Sequence, residues 1–304
     1  MTGTALILGA SGRFGKHAAE AFWNAGWQVR IFDRQSDDLT RTAEGADVIV
    51  NGWNAPYSQW AHEVPAMTRD IIEAASASGA SVLIPGNIYG YGEGSPAILG
   101  PDTPKQASNP LGRIRNEMEE AYRTSGVQTI ILRAGDFLDT EASGNWFDKI
   151  ITAKLASGKI IAPDDHDAPH AWAYLPDMAR AAVELAERRV LLRQFHEVLF
   201  PGYTLSLRQM TDLLSQATGR TLAVSTMSWA PLQLARPFWS EAGKLIEMRY
   251  LWNMPHTLDD QEFRALLPHF IETDPLAALA AAIRHLDVHP DQPVARRPLD
   301  IAAE

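Results

Sequence analysis

The segment TALILGASGRFG, residues 4–15, is the stretch of the chain that decides its predicted fold. Its apolar start, TALILGA (4–10), predicts a buried strand, and FGKHAAEAFWNA (14–25) has the apolar spacing of a helix. Glycines in such a strand-to-helix turn let the backbone approach an anion at the helix N-terminus. The spacing Gly9-x-x-Gly12-x-x-Gly15 is not the G-x-G-x-x-G fingerprint, so the turn alone fits either a tight connection or a phosphate-binding loop.

The first half of the chain alternates short apolar runs with longer segments of helical periodicity. Such alternation predicts a parallel sheet with helices on both of its faces. Further strands are predicted at 27–33, 46–52, 81–87 and 127–137, and further helices at 64–79 and 110–125. The pattern therefore predicts the α/β class, with a doubly wound parallel sheet of the Rossmann type.

Asp33 ends the second predicted strand, about twenty residues after the glycines, where an acidic residue of a dinucleotide-binding unit meets the adenosine ribose. Its carboxylate would accept hydrogen bonds from a 2′-hydroxyl and repel a 2′-phosphate, which favours NAD. Arg13 and Arg34 could bracket that phosphate instead, so NADP stays open. Either arginine could equally be a solvated surface charge.

The pattern loses its regularity in the second half of the chain. The patterns there predict a helix at 146–158, a short strand followed by a helix over 170–189, a strand at 195–200 and a capped helix over 204–219. Trp, Pro and Met become dense from residue 226 onward, as in a lobe built over a ligand. We expect a dinucleotide-binding domain at 1–165 to which 170–200 returns, a smaller C-terminal substrate lobe over most of 201–290, and a Pro-rich tail at 291–304.

The composition limits the classes of partner. The chain has 304 residues, a formal net charge of -10 and a pI of about 5.4. Such a charge repels nucleic acid and anionic membranes, so we expect a small-molecule substrate and neither of those partners. No cysteine is present, which excludes disulfides and fits a reducing compartment. The N-terminal apolar run is too short for a signal peptide and no run is long enough to span a bilayer, so a cytoplasmic location is expected.

Four further segments resemble the extended short-chain dehydrogenase/reductase family, and within it the NAD-dependent epimerase/dehydratase group. NGWNAPY (51–57) is similar to the loop after the third strand that covers the cofactor, and PGNIYGYG (85–92) to the segment that holds the family's catalytic Ser. ILRAGDF (131–137) resembles its fifth-strand loop, and WAYLPDMARA (172–181) its returning Asp-bearing segment. With the glycine turn, these segments follow the family's order and cover nearly the whole chain.

The resemblance implies which residues meet the cofactor. The nicotinamide ring would lie between the loop from Asn87 to Tyr91 and the loop at 134–136, with the C-terminal lobe closing over a small polar substrate. The implied cofactor-binding residues are Gly9, Ser11, Gly12, Arg13, Phe14, Gly15, Asp33, Arg34, Trp53, Asn54, Arg115 and Ala134.

The chain departs from the family at the residues that carry its chemistry. The family's active helix has Tyr-x-x-x-Lys, in which Tyr transfers the proton and Lys lowers its pKa and holds the nicotinamide ribose. Leu111 takes the Tyr position, Arg115 the Lys position and Asn87 the Ser position. Leu has no proton to transfer, and Arg115 can bind ribose hydroxyls although no phenol is expected beside it to activate.

Any catalytic proton must therefore come from elsewhere in the cleft. The candidate catalytic residues are Asn87, Tyr89 and Tyr91, and the resemblance places His170, Trp172 and Tyr174 towards the substrate. Aromatic packing and a structural histidine are the alternatives for these positions.

The segment DDHDAPH (164–170) combines carboxylates with two histidines, as a metal site would. Pro169 interrupts any helix that would place the two histidines on one face, and no distant third ligand is implied. We therefore expect a solvated acidic loop and no metal.

Two functions remain open. The segments that resemble the family's cofactor-binding part favour an atypical oxidoreductase or epimerase/dehydratase-like enzyme. The missing Tyr and Lys also fit a non-catalytic NAD(P) sensor or scaffold of the NmrA-like type. A polar pocket beside the nicotinamide site would favour the enzyme, and a cleft filled by side chains such as Leu111 would favour the sensor. By family analogy, a homodimer would form through the helices at 64–79 and 110–125.

Overall fold

The computed structural model describes residues 2–286 and 288 of the chain, so the predicted tail at 291–304 lies outside the described residues. The strands are Thr4–Leu8 (β1), Gln28–Phe32 (β2), Val48–Asn51 (β3), Ser81–Gly86 (β4), Ile98–Leu99 (β5), Thr129–Arg133 (β6), Asp136–Leu138 (β7), Lys159–Ala162 (β8), His170–Tyr174 (β9), Phe195–Leu199 (β10), Tyr203–Leu205 (β11), Ala223–Thr226 (β12) and Thr257–Leu258 (β13). The α-helices are Arg13–Asn24 (α1), Leu39–Ala43 (α2), Trp60–Ser78 (α3), Pro110–Thr124 (α4), Leu175–Glu187 (α5), Leu207–Thr218 (α6), Ala230–Ala235 (α7), Ser240–Glu247 (α8), Gln261–Leu266 (α9) and Pro275–Ala282 (α10).

Six parallel strands form the central sheet, in the order β10-β6-β4-β3-β1-β2. Ala5 of β1 lies opposite Val29 of β2 and Val48 of β3, which sets the register of these three strands. Because β1 lies between β2 and β3, the chain winds to one side first and then crosses to the other. This confirms the predicted α/β fold class with a doubly wound parallel sheet.

Helices cover both faces of the sheet, which explains why β1, β3 and β6 are buried at every position. Side chains alternate along β1. Ala5 and Ile7 pack towards α1 and α5, whereas Leu6 and Leu8 pack towards α3 and α4. The strands therefore read as continuous apolar runs, because neither face meets water.

A separate core forms in the second half of the chain. It contains the three-stranded sheet β11-β9-β7 and the helix α6, which packs against α10. The start of α6 is a capping box, in which the Ser206 hydroxyl accepts from the Gln209 N–H and the Gln209 side chain accepts from the Ser206 N–H. The helix ends at Gly219, where φ is 64°. Local sequence therefore sets both ends of α6.

The helix predicted at 146–158 is wrong. Phe147–Ile151 forms one π-helical turn and Leu155–Ser157 one 3-10 turn, and the described residues between them form no α-helix. Phe147, Ile151 and Leu155 are four apart and all buried, which explains the misleading helical pattern. The Thr152 hydroxyl and N–H both donate to the Phe147 carbonyl, at 2.8 and 2.9 Å, and this competition ends the turn.

Candidate functional site

The loops that follow β1, β3, β4 and β6 meet at one edge of the central sheet, because these strands are parallel and adjacent. They bring Gly9, Trp53, Asn87 and Ala134 to that edge. The winding of the sheet reverses between β1 and β3. Open α/β sheets bind ligands in the crevice at such a reversal, so this edge is the candidate site.

The glycine turn leaves no space for side chains. Gly9 has a φ of 70°, a conformation that favours glycine. A Cβ on Gly15 would lie 2.1 Å from the Gly9 carbonyl oxygen, and a Cβ on Gly52 would lie 2.7 Å from the Gly15 Cα. The start of α1 therefore packs directly against the backbone that follows β1 and β3.

Helix α1 begins without a side-chain cap. Gly12 is its N-cap residue, no side chain accepts from its first N–H groups, and its first turn holds no acidic residue. Free N–H groups and the positive end of the helix dipole favour a bound anion. Phe14 is buried and anchors the turn, while Ser11 is exposed at its tip.

Arg13 and Arg34 have different surroundings. The Arg13 guanidinium donates to the carbonyl oxygens of Ser143 and Gly144, at 2.9 and 2.8 Å. Arg34 lies over the Trp53 ring, 4.9 Å from its centroid. Each arginine thus has a partner within the chain, and a bracket of the two around a 2′-phosphate stays an untested alternative.

Asp33 is exposed directly after β2. Its carboxylate accepts from the Gln35 N–H at 2.9 Å and from the Ser36 hydroxyl at 3.1 Å, which fixes the side chain in the turn. An ionised carboxylate has about four lone-pair sites. Asp33 can therefore still accept bonds from ribose hydroxyls.

Arg115 lies in the second turn of α4 and is half-buried. Its Nη2 donates to Asn54 Oδ1 at 2.9 Å, and its guanidinium lies 4.0 Å from the centre of the Trp60 ring. Burial lowers the pKa of Arg115. Its Nε is buried and has no hydrogen-bond partner among the described residues.

Tyr57 and Tyr89 face each other at the same edge. Their hydroxyl oxygens are 2.6 Å apart, and both rings pack against Trp60. Burial raises the pKa of both phenols, and Arg115 acts in the opposite direction on each. The expectation that Arg115 has no phenol beside it is thus corrected, because phenols arrive from the loops after β3 and β4. Tyr57 was not a sequence candidate, although it closes the NGWNAPY segment.

Asn87 is held from the interior side of the sheet. Its Oδ1 accepts from the Tyr89 N–H at 3.1 Å, and its carbonyl accepts from Arg133 Nη1. Arg133 is 1% exposed and also binds Glu119 and Glu197, at 2.8 and 2.5 Å. A buried charge therefore positions the loop that carries Asn87 and Tyr89.

Tyr91 lies in this buried ionic network, which Lys105 completes by binding Glu197. The Tyr91 hydroxyl oxygen lies 3.1 Å from the Gly100 carbonyl oxygen and 3.3 Å from Glu197 Oε1, so both are acceptors for its single proton. Burial favours the neutral form of Glu197, yet its two cations hold the pKa of the carboxyl below the usual value. This interior position removes Tyr91 from the candidate catalytic residues. The network had no signal in the sequence, because its members are far apart and follow no period.

Leu111 is fully buried in the core beneath α4. Its N–H donates to Glu247 Oε1 at 2.6 Å, and Asn109 Nδ2 donates to the same oxygen at 3.0 Å. Glu247 lies in α8, so the C-terminal part of the chain caps this helix. The position to which the resemblance assigns a phenol is thus occupied by a buried leucine beneath a capped helix start.

Asp136 and His170 form a pair where the central sheet meets the second core. Asp136 Oδ2 and His170 Nε2 are 2.7 Å apart, and the Asp136 side chain is 23% exposed. His170 stacks on Trp252 with ring centres 4.5 Å apart. His256 packs edge-on against His170, and burial lowers the pKa of His256 to about 3. Asp136 is therefore the accessible member of the pair, and stacking on Trp252 fixes its partner His170. The sequence predicted the loop at 134–136 as part of the site but did not single out Asp136.

Trp172 and Tyr174 lie in the second core. Trp172 is 1% exposed, and its indole N–H donates to the Leu205 carbonyl at 3.1 Å. Tyr174 is 8% exposed. Of the three residues expected to face the substrate, His170 alone reaches the polar edge of the sheet, through Asp136.

The side chains of residues 164–170 diverge. Asp164 binds Arg249, and Asp167 binds Arg208. Among the described residues, no group of three or more His, Asp or Glu is placed to hold a metal ion. Within residues 2–286 and 288, no helix has both the length and the apolar character that crossing a membrane requires.

No protein-family model and no curated protein sequence matches this chain. Solved structures do share its fold. MoeE5 in complex with UDP-glucose and NAD is 16% identical, and the alignment covers 93% of this chain and 98% of that one with a TM-score of 0.72. A nucleoside-diphosphate-sugar epimerase from Pseudomonas aeruginosa is 18% identical over 93% and 97% of the chains, with a TM-score of 0.66.

A UDP-glucuronic acid 4-epimerase from Bacillus cereus, in complex with UDP-glucuronic acid and NAD, is also similar. It is 14% identical, over 93% of this chain and 98% of that one, with a TM-score of 0.70. At such identities the likeness establishes the fold over nearly the whole chain.

Proposed function

We propose that this chain binds a nicotinamide dinucleotide and acts as an atypical short-chain dehydrogenase/reductase, either an oxidoreductase or an epimerase/dehydratase-like enzyme, on a small polar molecule. The observation that carries the proposal is the glycine turn. Gly9, Gly15 and Gly52 pack backbone against backbone beside an uncapped helix N-terminus. This turn lies where doubly wound sheets bind dinucleotides.

The residues at this edge fit a dinucleotide along its length. The uncapped N–H groups of α1 suit the pyrophosphate, and the exposed Asp33 suits the adenosine ribose. Arg115, whose planar guanidinium is held at this edge by Asn54, suits the nicotinamide ribose. Asn87 and Ala134 would then border the nicotinamide ring, which supplies or accepts a hydride when bound.

NAD is the proposed dinucleotide rather than NADP. Asp37 Oδ2 accepts from the Asp33 N–H at 2.8 Å, so a second carboxylate lies beside Asp33 and would add to the repulsion of a 2′-phosphate bound there. Arg34 is engaged on Trp53. MoeE5 and the Bacillus cereus epimerase were both solved with NAD, which supports the same choice.

A small polar substrate is supported by the groups around the end of the crevice. Tyr57 and Tyr89 bring two hydroxyls to it, and Asp136 and His170 bring a carboxylate–imidazole pair. A sensor needs no such donors and acceptors beside a nicotinamide, so these groups favour an enzyme. Both MoeE5 and the Bacillus cereus epimerase were solved with UDP-sugars, and we propose a hydroxyl-bearing carbonyl or alcohol compound as the substrate class.

The division of the chain and its assembly are also proposals. We propose a dinucleotide-binding domain at 1–165 completed by 170–200, because β10 lies beside β6, and a substrate lobe over most of 201–290. A homodimer would form through α3 and α4, which border a groove of about 490 Å³. The mass of the protein in solution, measured by light scattering, tests the assembly; a monomer at all concentrations contradicts it.

Binding of the four dinucleotides to the full chain tests the function. We expect NAD and NADH to raise the melting temperature more than NADP and NADPH do, because a ligand of the folded state stabilises it by mass action. At a hundred times Kd the gain is about 2.7 kcal/mol. No stabilisation by any of the four would contradict cofactor binding.

Turnover is tested separately, by the absorbance of NADH during incubation with carbonyl compounds, alcohols and nucleotide sugars. A change with any of them supports the enzyme. Tight binding of cofactor with no change across the whole set favours the sensor.

A further inference from the structure

The proposed function leaves one group unassigned, which is the source of the proton that accompanies a hydride transfer. Leu111 has no proton to transfer and is fully buried. The Tyr91 hydroxyl is used in the interior by Gly100 and Glu197. Tyr57 and Tyr89 are both half-buried at the edge of the sheet, and their hydroxyls form a hydrogen bond with each other.

The meeting of the two phenols follows from the strand order. β3 and β4 are adjacent and parallel, so the loops that leave them lie side by side. Trp60 is the shared wall of these loops, because Tyr57 packs edge-on against its ring at 4.9 Å and Tyr89 stacks on it at 6.1 Å. The Trp60 indole N–H is fixed by the Ala55 carbonyl at 2.9 Å. Arg115 lies over the same indole, so the cation and both phenols share one rigid support.

We propose that the paired hydroxyls of Tyr57 and Tyr89 are the proton-transfer group of this site, with Arg115 as their cation, in place of the phenol that Leu111 cannot supply. This inference rests on the proposed function. It reassembles the family's Tyr and Lys couple from three separate elements, the loop after β3, the loop after β4 and helix α4.

The hydrogen bond between the two phenols leaves one proton free. A hydroxyl has one proton and two lone pairs, so only one of the two protons can lie between oxygens that are 2.6 Å apart. The phenol that accepts this bond directs its own proton elsewhere, towards a bound substrate. The phenol that donates it holds a second proton in reserve.

The step balances in atoms and charge. In the reducing direction, the substrate carbonyl gains a hydride at carbon, supplied by the dinucleotide, and takes the free phenol proton at oxygen. The resulting phenolate takes the reserve proton across the hydrogen bond, and water returns a proton to the second phenol. One hydride and one proton are consumed for each alcohol formed, and oxidation of an alcohol reverses each transfer.

The charges around the pair come from three elements. Arg13 of α1 and Arg115 of α4 favour the phenolate of Tyr57, and Asp136, which follows β6, opposes it. Arg115 and Asp136 act in the same senses on Tyr89. Burial has the largest effect and raises the pKa of both phenols, so both are protonated at neutral pH.

The pH dependence of dinucleotide binding to the full chain tests the proposal without a substrate. A phenol pair beside the nicotinamide ionises more easily when the ring carries the positive charge of NAD than when it is NADH. The affinity for NAD should then rise with pH, by up to about tenfold per pH unit, while the affinity for NADH stays flat. Fluorescence titrations from about pH 6 to about pH 11 measure both; the range extends above the ordinary tyrosine pKa of about 10 because burial raises the pKa of both phenols. Difference absorbance reports tyrosinate formed when NAD is added.

Three variants separate this proposal from a structural role. Y57F and Y89F keep the rings on Trp60 and lose only the hydroxyls. Each single variant should still bind NADH and show a weaker rise of NAD affinity with pH. The double variant should show no rise of NAD affinity with pH and form no tyrosinate. Y250F is the matched control, because Tyr250 is a phenol without a hydrogen-bond partner in the described residues and lies outside the pair. Circular dichroism checks that all variants are folded.

A flat NAD affinity in the wild-type chain, or the same rise in the double variant, overturns the proton-transfer pair and leaves dinucleotide binding intact. Failure of the wild-type chain to bind NAD or NADH overturns the proposed function and the pair together.

Discussion

Arg115 lies in a helix that has Leu111 at the position to which the resemblance assigns a phenol, and two phenols lie near it outside that helix. Its planar guanidinium binds Asn54 and lies over Trp60 at the same time. A single side chain thus links helix α4 to the loop after β3. At this scale, the proposed chemistry needs no phenol in the helix itself, because phenols come from the loops after two strands.

Gly15 is the residue whose substitution tests the cofactor turn most directly. In Gly15→Ala the new Cβ would lie 2.1 Å from the Gly9 carbonyl oxygen, so the turn or α1 must shift. We expect a loss of about 1–3 kcal/mol in the free energy of unfolding and the loss of NADH binding. Urea unfolding and fluorescence titration measure the two effects.

Gly100→Ala is the control for this substitution, because its Cβ would meet nothing closer than 3.6 Å. It should keep the stability and the NADH affinity of the wild-type chain. If Gly15→Ala matched it in both, the close approach of α1 to the strand ends would play no part in binding.

Helix α4 shows how elements far apart in the chain position each other. Its N-cap residue, Asn109, makes no side-chain cap of its own, and Glu247 from α8 accepts from the Leu111 N–H instead. Lys244 donates to the other Glu247 oxygen at 3.2 Å and holds it in place. Helix α8 therefore fixes the start of the helix that carries Arg115.

Glu247→Ala should uncap α4 from outside the helix. Loss of a capping carboxylate costs about 0.5–2 kcal/mol of stability, and we expect weaker NADH binding as Arg115 loses its alignment. Glu117→Ala, an exposed change on the same helix, is the control. Urea unfolding of both variants measures the cap; equal stabilities would show that Glu247 contributes nothing to α4.

At the scale of the whole molecule, folding buries a titratable side chain, that of His256, beside His170. His256 is 1% exposed, and burial, aided by His170, lowers its pKa to about 3. Its Nδ1 contacts the Met254 carbonyl at 2.7 Å, and its Nε2 has no partner in the described part of the chain. The fold therefore holds this histidine neutral where an unfolded chain would protonate it.

This burial makes stability depend on pH. Above the ordinary histidine pKa of about 6.5 both states are neutral and the fold has its full stability. As the pH falls from there towards about 3, the unfolded state takes up a proton that folded His256 cannot, so the free energy of unfolding falls by up to about 1.4 kcal/mol per pH unit.

Urea unfolding of the wild-type chain and of His256→Gln across this pH range measures the effect. Gln does not titrate, so its variant should lose less stability on acidification, although it is less stable at neutral pH. Parallel pH profiles for the two proteins would rule out His256 as the cause.

Much of the fold could be predicted from the sequence, because strands and helices depend on local patterns. Continuous apolar runs predicted the strands, the capping residues predicted α6, and Gly79 predicted the end of α3, where φ is 74°. The helix that apolar spacing predicted at 146–158 was wrong. Apolar residues four apart were buried as expected, but Thr152 turned the backbone to another hydrogen-bond pattern.

The sequence by itself determined the class of sheet, the glycine turn at its edge and the absence of a phenol at Leu111. Only the tertiary structure decided that Tyr57 meets Tyr89, 32 residues along the chain, and that Asp136 meets His170, 34 residues away. The reason is physical. Periodicity reports which face of one element is buried, whereas the partner of a polar side chain depends on strand order and on which loops leave the same edge of the sheet.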